Sequence, residues 1–187
     1  MVGRKADVMA ELTTTPITSR KLSHHDESTA FVPATPARLF AHVDDHARLS
    51  SHMNTSSWMM GGGRMDIELD AGRGQRVGSQ IRVAGRVWGV DLSLEEIVIE
   101  RRPPHRKVWE TTVSPRLLVM GHYRMGFDIT PTGEGAQFRV FIDYALPETA
   151  PTRWLGYVFG RYYARWCTQR MVRDAWKHFA GTKREER

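Results

Sequence analysis

A chain of 187 residues suits one ordinary domain with a buried core and is short for two, so a multidomain reading is set aside. At 41% hydrophobic and 26% charged residues the composition is globular, which excludes a disordered or fibrous chain. The whole formal excess of +6 lies in residues 151–187, with nine Lys/Arg against three Asp/Glu. No paired Cys/His ligands, RNA-binding sheet motif or recognition helix accompanies this basic segment, so no nucleic-acid partner is expected.

Cys167 is the only cysteine and cannot form an internal disulfide. No apolar stretch has the length of a secretory signal core or of a membrane span, and a cytoplasmic location is the expectation.

Residues 1–18 show no sustained period and read as a loose leader, residues 19–181 as the domain, and residues 182–187 as a charged tail. A first strand ends near Ala30-Phe31-Val32. Thr35 as N-cap and Pro36 at the first helical position then open a short helix with Leu39, Phe40 and Val43 on its apolar side. A second short helix is expected from about Asp45 to Met53. Trp58 and Met59, followed by Gly61-Gly62-Gly63, suit a loop over the rim of a cavity.

From Arg64 the pattern alternates as β-structure for almost ninety residues. Arg64 to Leu69 is a strand, Gly72-Arg73-Gly74 a turn, and Ile81, Val83 and Val87 recur at even spacing in the next strand. Gly85 and Gly89 are candidate bulges or bends. Val90 to Glu100 runs until Pro103-Pro104, which cannot donate to a ladder. Lys107 to Val113, Tyr123 to Thr130 and Gln137 to Leu146 complete the set, with residues 131–135 as a hairpin loop. Tyr123, Met125, Phe127 and Ile129 oppose His122, Arg124 and Asp128, and Phe138, Val140, Ile142 and Tyr144 oppose Arg139 and Asp143, as in an antiparallel sheet with one covered face. In the Lys107 strand the alternation leaves open whether Glu110 or Trp109 faces inward.

Pro151 to Ala180 reads as one helix of about 45 Å, with Leu155, Val158, Phe159, Tyr162 and Trp166, then Val172, Ala175, Trp176 and Phe179, as its apolar stripe. A strand of ten residues spans about 33 Å, so a sheet curled around this helix would bury both apolar surfaces.

Several phrases carry a resemblance. Thr35-Pro36-Ala37-Arg38-Leu39-Phe40 before Asp44-Asp45 resembles the first helix of the START-like polyketide cyclase/dehydrase superfamily, also called SRPBCC. Leu94-Glu95-Glu96-Ile97 leading to Pro103-Pro104 and Val108-Trp109 is similar to its central strands. Residues 126–131, residues 135–140 and Tyr144-Ala145-Leu146-Pro147 resemble its final hairpin. The likeness covers about residues 20–180 and implies an α+β helix-grip fold: a curved seven-stranded antiparallel sheet around a long C-terminal helix, with two short helices after the first strand. For function it implies a hydrophobic or aromatic ligand, whether lipid, quinone or polyketide-like, held between sheet and helix by a carrier or sensor. Two alternatives accompany it: a cyclase or dehydratase with a buried acid or base, and a lipid or quinone chaperone docking on membranes through its basic helix. A fold does not choose among these.

The ligand wall expected on this reading is Trp58, Met59, Ile81, Val83, Val87, Trp109, Tyr123, Phe127, Phe138, Val140, Tyr144, Leu155, Phe159, Tyr162 and Trp166. Large apolar groups at such spacing also make ordinary core, and Tyr123, Tyr144 and Tyr162 add hydroxyl anchors. Glu110, His122 and Tyr144 are the candidate catalytic groups. An all-apolar wall would favour the carrier, and a buried carboxylate or histidine the enzyme. His42 and His46 stand four apart and could share zinc with a carboxylate, but their spacing spans the break between the two short helices, so no metal and no cofactor is expected. The glycine-rich stretches 61–63 and 72–78 lack the lysine-serine ending of a nucleotide loop and read as turns. The partners expected are a hydrophobic small molecule and, weakly, anionic membrane against the basic helix.

Overall fold

The computed structural model of the chain describes residues 21–50, 64–87, 89–112 and 115–185. Strand β1 (His24–Val32) leads into helices α1 (Pro36–Val43) and α2 (His46–Leu49). Strands β2 (Arg64–Leu69), β3 (Gln80–Val87), β4 (Val90–Arg102), β5 (Arg106–Thr111), β6 (Tyr123–Thr132) and β7 (Gly135–Tyr144) follow, and the chain closes with α3 (Ala150–Glu185). Thr35 caps α1 by accepting from the Arg38 N–H, and Pro36 stands in its first turn, as the residue types require. The leader and the rim loop with Trp58 and Met59 lie outside the described residues, as do residues 51–53 of the second expected helix.

All seven strands form one antiparallel sheet in the order β1-β7-β6-β5-β4-β3-β2, so the first strand pairs with the last. The sheet curves, and its concave face holds the core. Gly85 keeps regular register with Met65 and Leu92, and the irregularity falls instead between Val98 and Glu100 of β4. Gly89, with φ +79, makes the turn between β3 and β4. The convex face carries cross-strand ion pairs: Glu27 with Arg139, Arg139 with Asp128, Asp128 with Arg106, and Arg106 with Glu100. Both the Arg106 and the Arg139 guanidinium lie 5.3 Å from the centre of the Phe141 ring, a second small cluster on the outside.

Helix α3 is continuous over 36 residues, about 54 Å, and packs mainly on β1 and β7. The face it buries differs from the expected stripe. Gly156, Gly160, Ala164, Cys167, Thr168, Met171, Val172, Ala175 and Phe179 are buried, whereas Val158, Phe159, Tyr162 and Trp176 are exposed. Small residues at every fourth position let the helix axis approach the loop before β6 and the segment after β7. A Cβ at Gly156 would stand 2.6 Å from Pro147 Cδ and 2.9 Å from the Val119 carbonyl oxygen. Gly156→Ala is therefore expected to lose about 1–3 kcal/mol to overpacking, more than the helix propensity of up to about 1 kcal/mol that it gains. Gly181→Ala, where nothing lies within 4 Å, keeps only the gain, so urea unfolding should move the two variants in opposite directions.

Candidate functional site

In β4 the inward phase runs Leu92, Leu94, Glu96, Val98, so a carboxylate occupies an apolar register position. Its side chain is only 3% exposed. Tyr123, the first residue of β6, donates its hydroxyl to Glu96 Oε1. His46, the first residue of α2 and 1% exposed, places Nε2 3.5 Å from Glu96 Oε2, beyond a strong hydrogen bond. Glu96 Oε2 and His46 Nδ1 are both buried without a hydrogen-bond partner. Leaving such atoms unpaired costs about 1–3 kcal/mol each, which the rest of the fold must offset.

Two devices hold His46 there. Asp45 caps α2, its Oδ1 accepting from the N–H groups of Ala47 and Arg48. Ahead of it Asp44 is clamped: Arg101 bonds both its carboxylate oxygens, and the wholly buried Lys107 donates to its carbonyl oxygen at 2.7 Å and lies 3.1 Å from Oδ1. The imidazole then stands edge-on to Trp109, with ring centres 5.2 Å apart. Opposite lies Gly74, with φ +68, where a Cβ would come within 3.2 Å of His46 Cβ.

Helix α3 brings Tyr163 and Cys167, hydrogen-bonded to each other, toward Tyr123. Burial lifts the hydroxyls of Tyr123 and Tyr163 well above the ordinary phenol range, the Glu96 carboxylate adding to the first, so both remain proton donors. Burial also pushes the Cys167 thiol up to about 12, which removes thiolate chemistry there. Tyr123, Tyr163 and Trp166 keep part of their surface accessible while Met125, Ile142 and Ala164 are sealed. The arrangement is a carboxylate whose Oε2 has no hydrogen-bond partner, two protonated phenols and an imidazole within an apolar wall. It can accept a hydrogen bond from a ligand, donate one, or pass a proton.

Of the ligand wall expected from sequence, Ile81, Val83, Trp109, Phe127, Phe138, Val140 and Tyr144 are buried on the concave face, and Tyr123, Leu155 and Trp166 are partly buried. Phe127 packs against Phe40, Phe138 and Trp109 in an aromatic cluster under α1, and Trp109 joins that cluster to His46 of the candidate site. Phe159 and Tyr162 face solvent, because the helix turns its glycines inward. Val87 lies in β3 with its side chain outside what is described. Glu110 lies on the convex face, bonded twice by Arg124. His122 is buried rather than solvent-facing, 3.1 Å from Thr111 Oγ1, and Tyr144 stacks on His24. A groove of about 750 Å³ beside the edge strand β1 is lined by charged groups, Asp26, Glu27, Arg165 and Arg173, together with apolar ones, Val172 and Trp176.

His42 and His46 do not converge. His46 meets Glu96, and His42 stacks on His178 of α3 with ring centres 3.9 Å apart. Burial, then His178 and Arg48, depress the His42 pKa to about 4, Asp45 opposing. The unfolded chain therefore takes up a proton that the fold refuses as pH falls from 6.5 toward 4, and stability drops across that window. Allowing for the solvent that reaches this half-buried ring, the loss is on the order of 1 kcal/mol. His42→Phe should flatten that part of a melting-temperature profile against pH.

A sequence model for the family described as polyketide cyclase / dehydrase and lipid transport matches residues 23–180. The chain belongs to that family. Solved structures with the same helix-grip fold include TTHA0849 from Thermus thermophilus, 15% identical with TM-score 0.58, covering 85% of this chain and 99% of that one. Ara h 8.0201 is 13% identical with TM-score 0.58, covering 84% and 98%. The di-domain ARO/CYC StfQ from the steffimycin biosynthetic pathway is 14% identical with TM-score 0.56, covering 86% of this chain and 52% of that one. At these identities the likeness establishes the fold. A sequence search of curated proteins finds no match. Within the family a hydrophobic ligand or a cyclase substrate is the general expectation, and Glu96, His46 and Tyr123 are this member's own polar groups. Sequence reasoning passed over Glu96 as a site residue although its signal was present: a carboxylate in phase with Leu92, Leu94 and Val98.

Proposed function

We propose that the concave interior binds an uncharged, ring-bearing apolar small molecule and orients it through a hydroxyl donated to Glu96, the protein acting as carrier or sensor. The unpartnered Glu96 Oε2, buried between Tyr123 and His46, is the observation that carries this reading. Apolar burial of about 300 Å² gives about 7 kcal/mol, much of it consumed by association, so a polar anchor supplies the selectivity. The same carboxylate, with an imidazole and a phenol beside it, favours a second reading: acid–base catalysis of the cyclase or dehydratase kind, for which a buried carboxylate or histidine is the mark.

Three probes of one ring system test the first reading: 1-naphthol, naphthalene and 2-naphthoate. Affinity should fall in that order, the last being repelled by a buried carboxylate. Equal binding of all three, or none, removes the proposal. Native mass spectrometry of protein purified from its own host identifies the natural ligand, and incubation with it separates the readings: a carrier returns it unchanged and an enzyme converts it.

A further inference from the structure

The first turns of α3 are built inside out. Gly156, Gly160 and Ala164 face the protein, while Trp154 (64% exposed), Tyr157 (78%), Val158 (38%), Phe159 (48%) and Tyr162 (70%) face water. Trp154, Tyr157, Val158, Arg161, Tyr162 and Arg165 follow one another at three- and four-residue spacing and so share one helix face. Contiguous aromatic exposure of this kind marks an interaction surface. From residue 149 to residue 173 the chain has no Asp or Glu, while Arg153, Arg161, Arg165, Arg170 and Arg173 lie within it. Arg170 pairs with Asp174, and the other four form no ion pair among the described residues.

We propose that this end of α3 is a docking face for an anionic lipid surface. The aromatic rings enter the headgroup layer, where Trp and Tyr are at home, and the arginines meet lipid phosphates. A second copy of the chain is the competing occupant, and a dimer that the aromatic substitutions dissociate would reveal it. Asp26 and Glu27 of β1 border Arg165 and Arg173, but from residue 150 to residue 173 the helix itself carries arginines and no carboxylate, which an anionic surface matches. No helix among the described residues is long and apolar enough to cross a membrane, so the helix lies on the surface. The face is independent of the Glu96 site, and its failure leaves that reading untouched.

Co-sedimentation of the full chain with vesicles of phosphatidylcholine alone, and of phosphatidylcholine mixed with phosphatidylglycerol, tests the docking face. Binding should require the anionic lipid and weaken with salt. Arg161→Gln/Arg165→Gln should lower partitioning by roughly thirtyfold, about fivefold per arginine. Trp154→Ser/Tyr157→Ser/Tyr162→Ser should lose binding at unchanged melting temperature. If that triple variant misfolds, the arginine pair carries the test. Absent binding, binding indifferent to phosphatidylglycerol, arginine variants that bind like wild type, or a wild-type dimer that the aromatic substitutions convert to monomer would each overturn the proposal.

Discussion

Glu96→Gln is expected to weaken 1-naphthol binding by roughly thirtyfold, about 2 kcal/mol, the scale of a hydrogen bond to a charged group. Affinity for 2-naphthoate should rise in the same variant, because the repelling charge is gone. The unfolding free energy should stay within about 1 kcal/mol of wild type, since the amide oxygen still accepts from Tyr123 while the desolvation cost of a buried charge disappears. A carboxylate kept for structure alone would behave differently: stability would fall and neither probe would change. Titration by tryptophan quenching and urea unfolding measure the two quantities separately. If catalysis is the true role, conversion of the natural ligand should fall in this variant as well.

Asp44→Ala is expected to cost about 3–5 kcal/mol, because it strands the ammonium of Lys107, whose side chain is fully buried. Burial already lowers the Lys107 pKa, and Asp44 is the charge that opposes this. Adding Lys107→Met to the Asp44→Ala variant should restore much of the loss, since removing both partners of a buried pair is far less damaging than removing one. The same cycle reads out the site, because Asp44 anchors the turn that presents His46. If the two substitutions cost simply additive amounts in urea unfolding, the clamp is not a coupled pair and this account of how His46 is positioned is wrong.

Most of the architecture was legible from periodicity. Alternation in residues 123–146 marks the covered face of the final hairpin, and the Thr35-Pro36 signal places α1, because capping and φ restriction are local effects. The helix from Pro151 was legible in extent but not in facing. Its large aromatic residues follow a helical period, and burying them is the ordinary expectation. The structure buries Gly156, Gly160 and Ala164 instead, and at the two glycines the loop before β6 and the segment after β7 leave little room for a side chain. The phase of β5 was open on sequence, with Glu110 and Trp109 equally placed. Pairing settles it: Trp109 stands opposite Met125 and Val98 on the concave side, while Glu110 meets Arg124 outside.

By itself, then, the order of residues determined the elements, their lengths and the alternation that gives the sheet a dry face, for these depend on neighbours within a few positions. Which polar groups meet in the interior was decided only when distant segments packed: Glu96 from β4, Tyr123 from β6, His46 from α2 and Tyr163 from α3 lie far apart along the chain. A buried charge costs too much to stand alone, so its partners are chosen by three-dimensional proximity, and no local pattern records that choice.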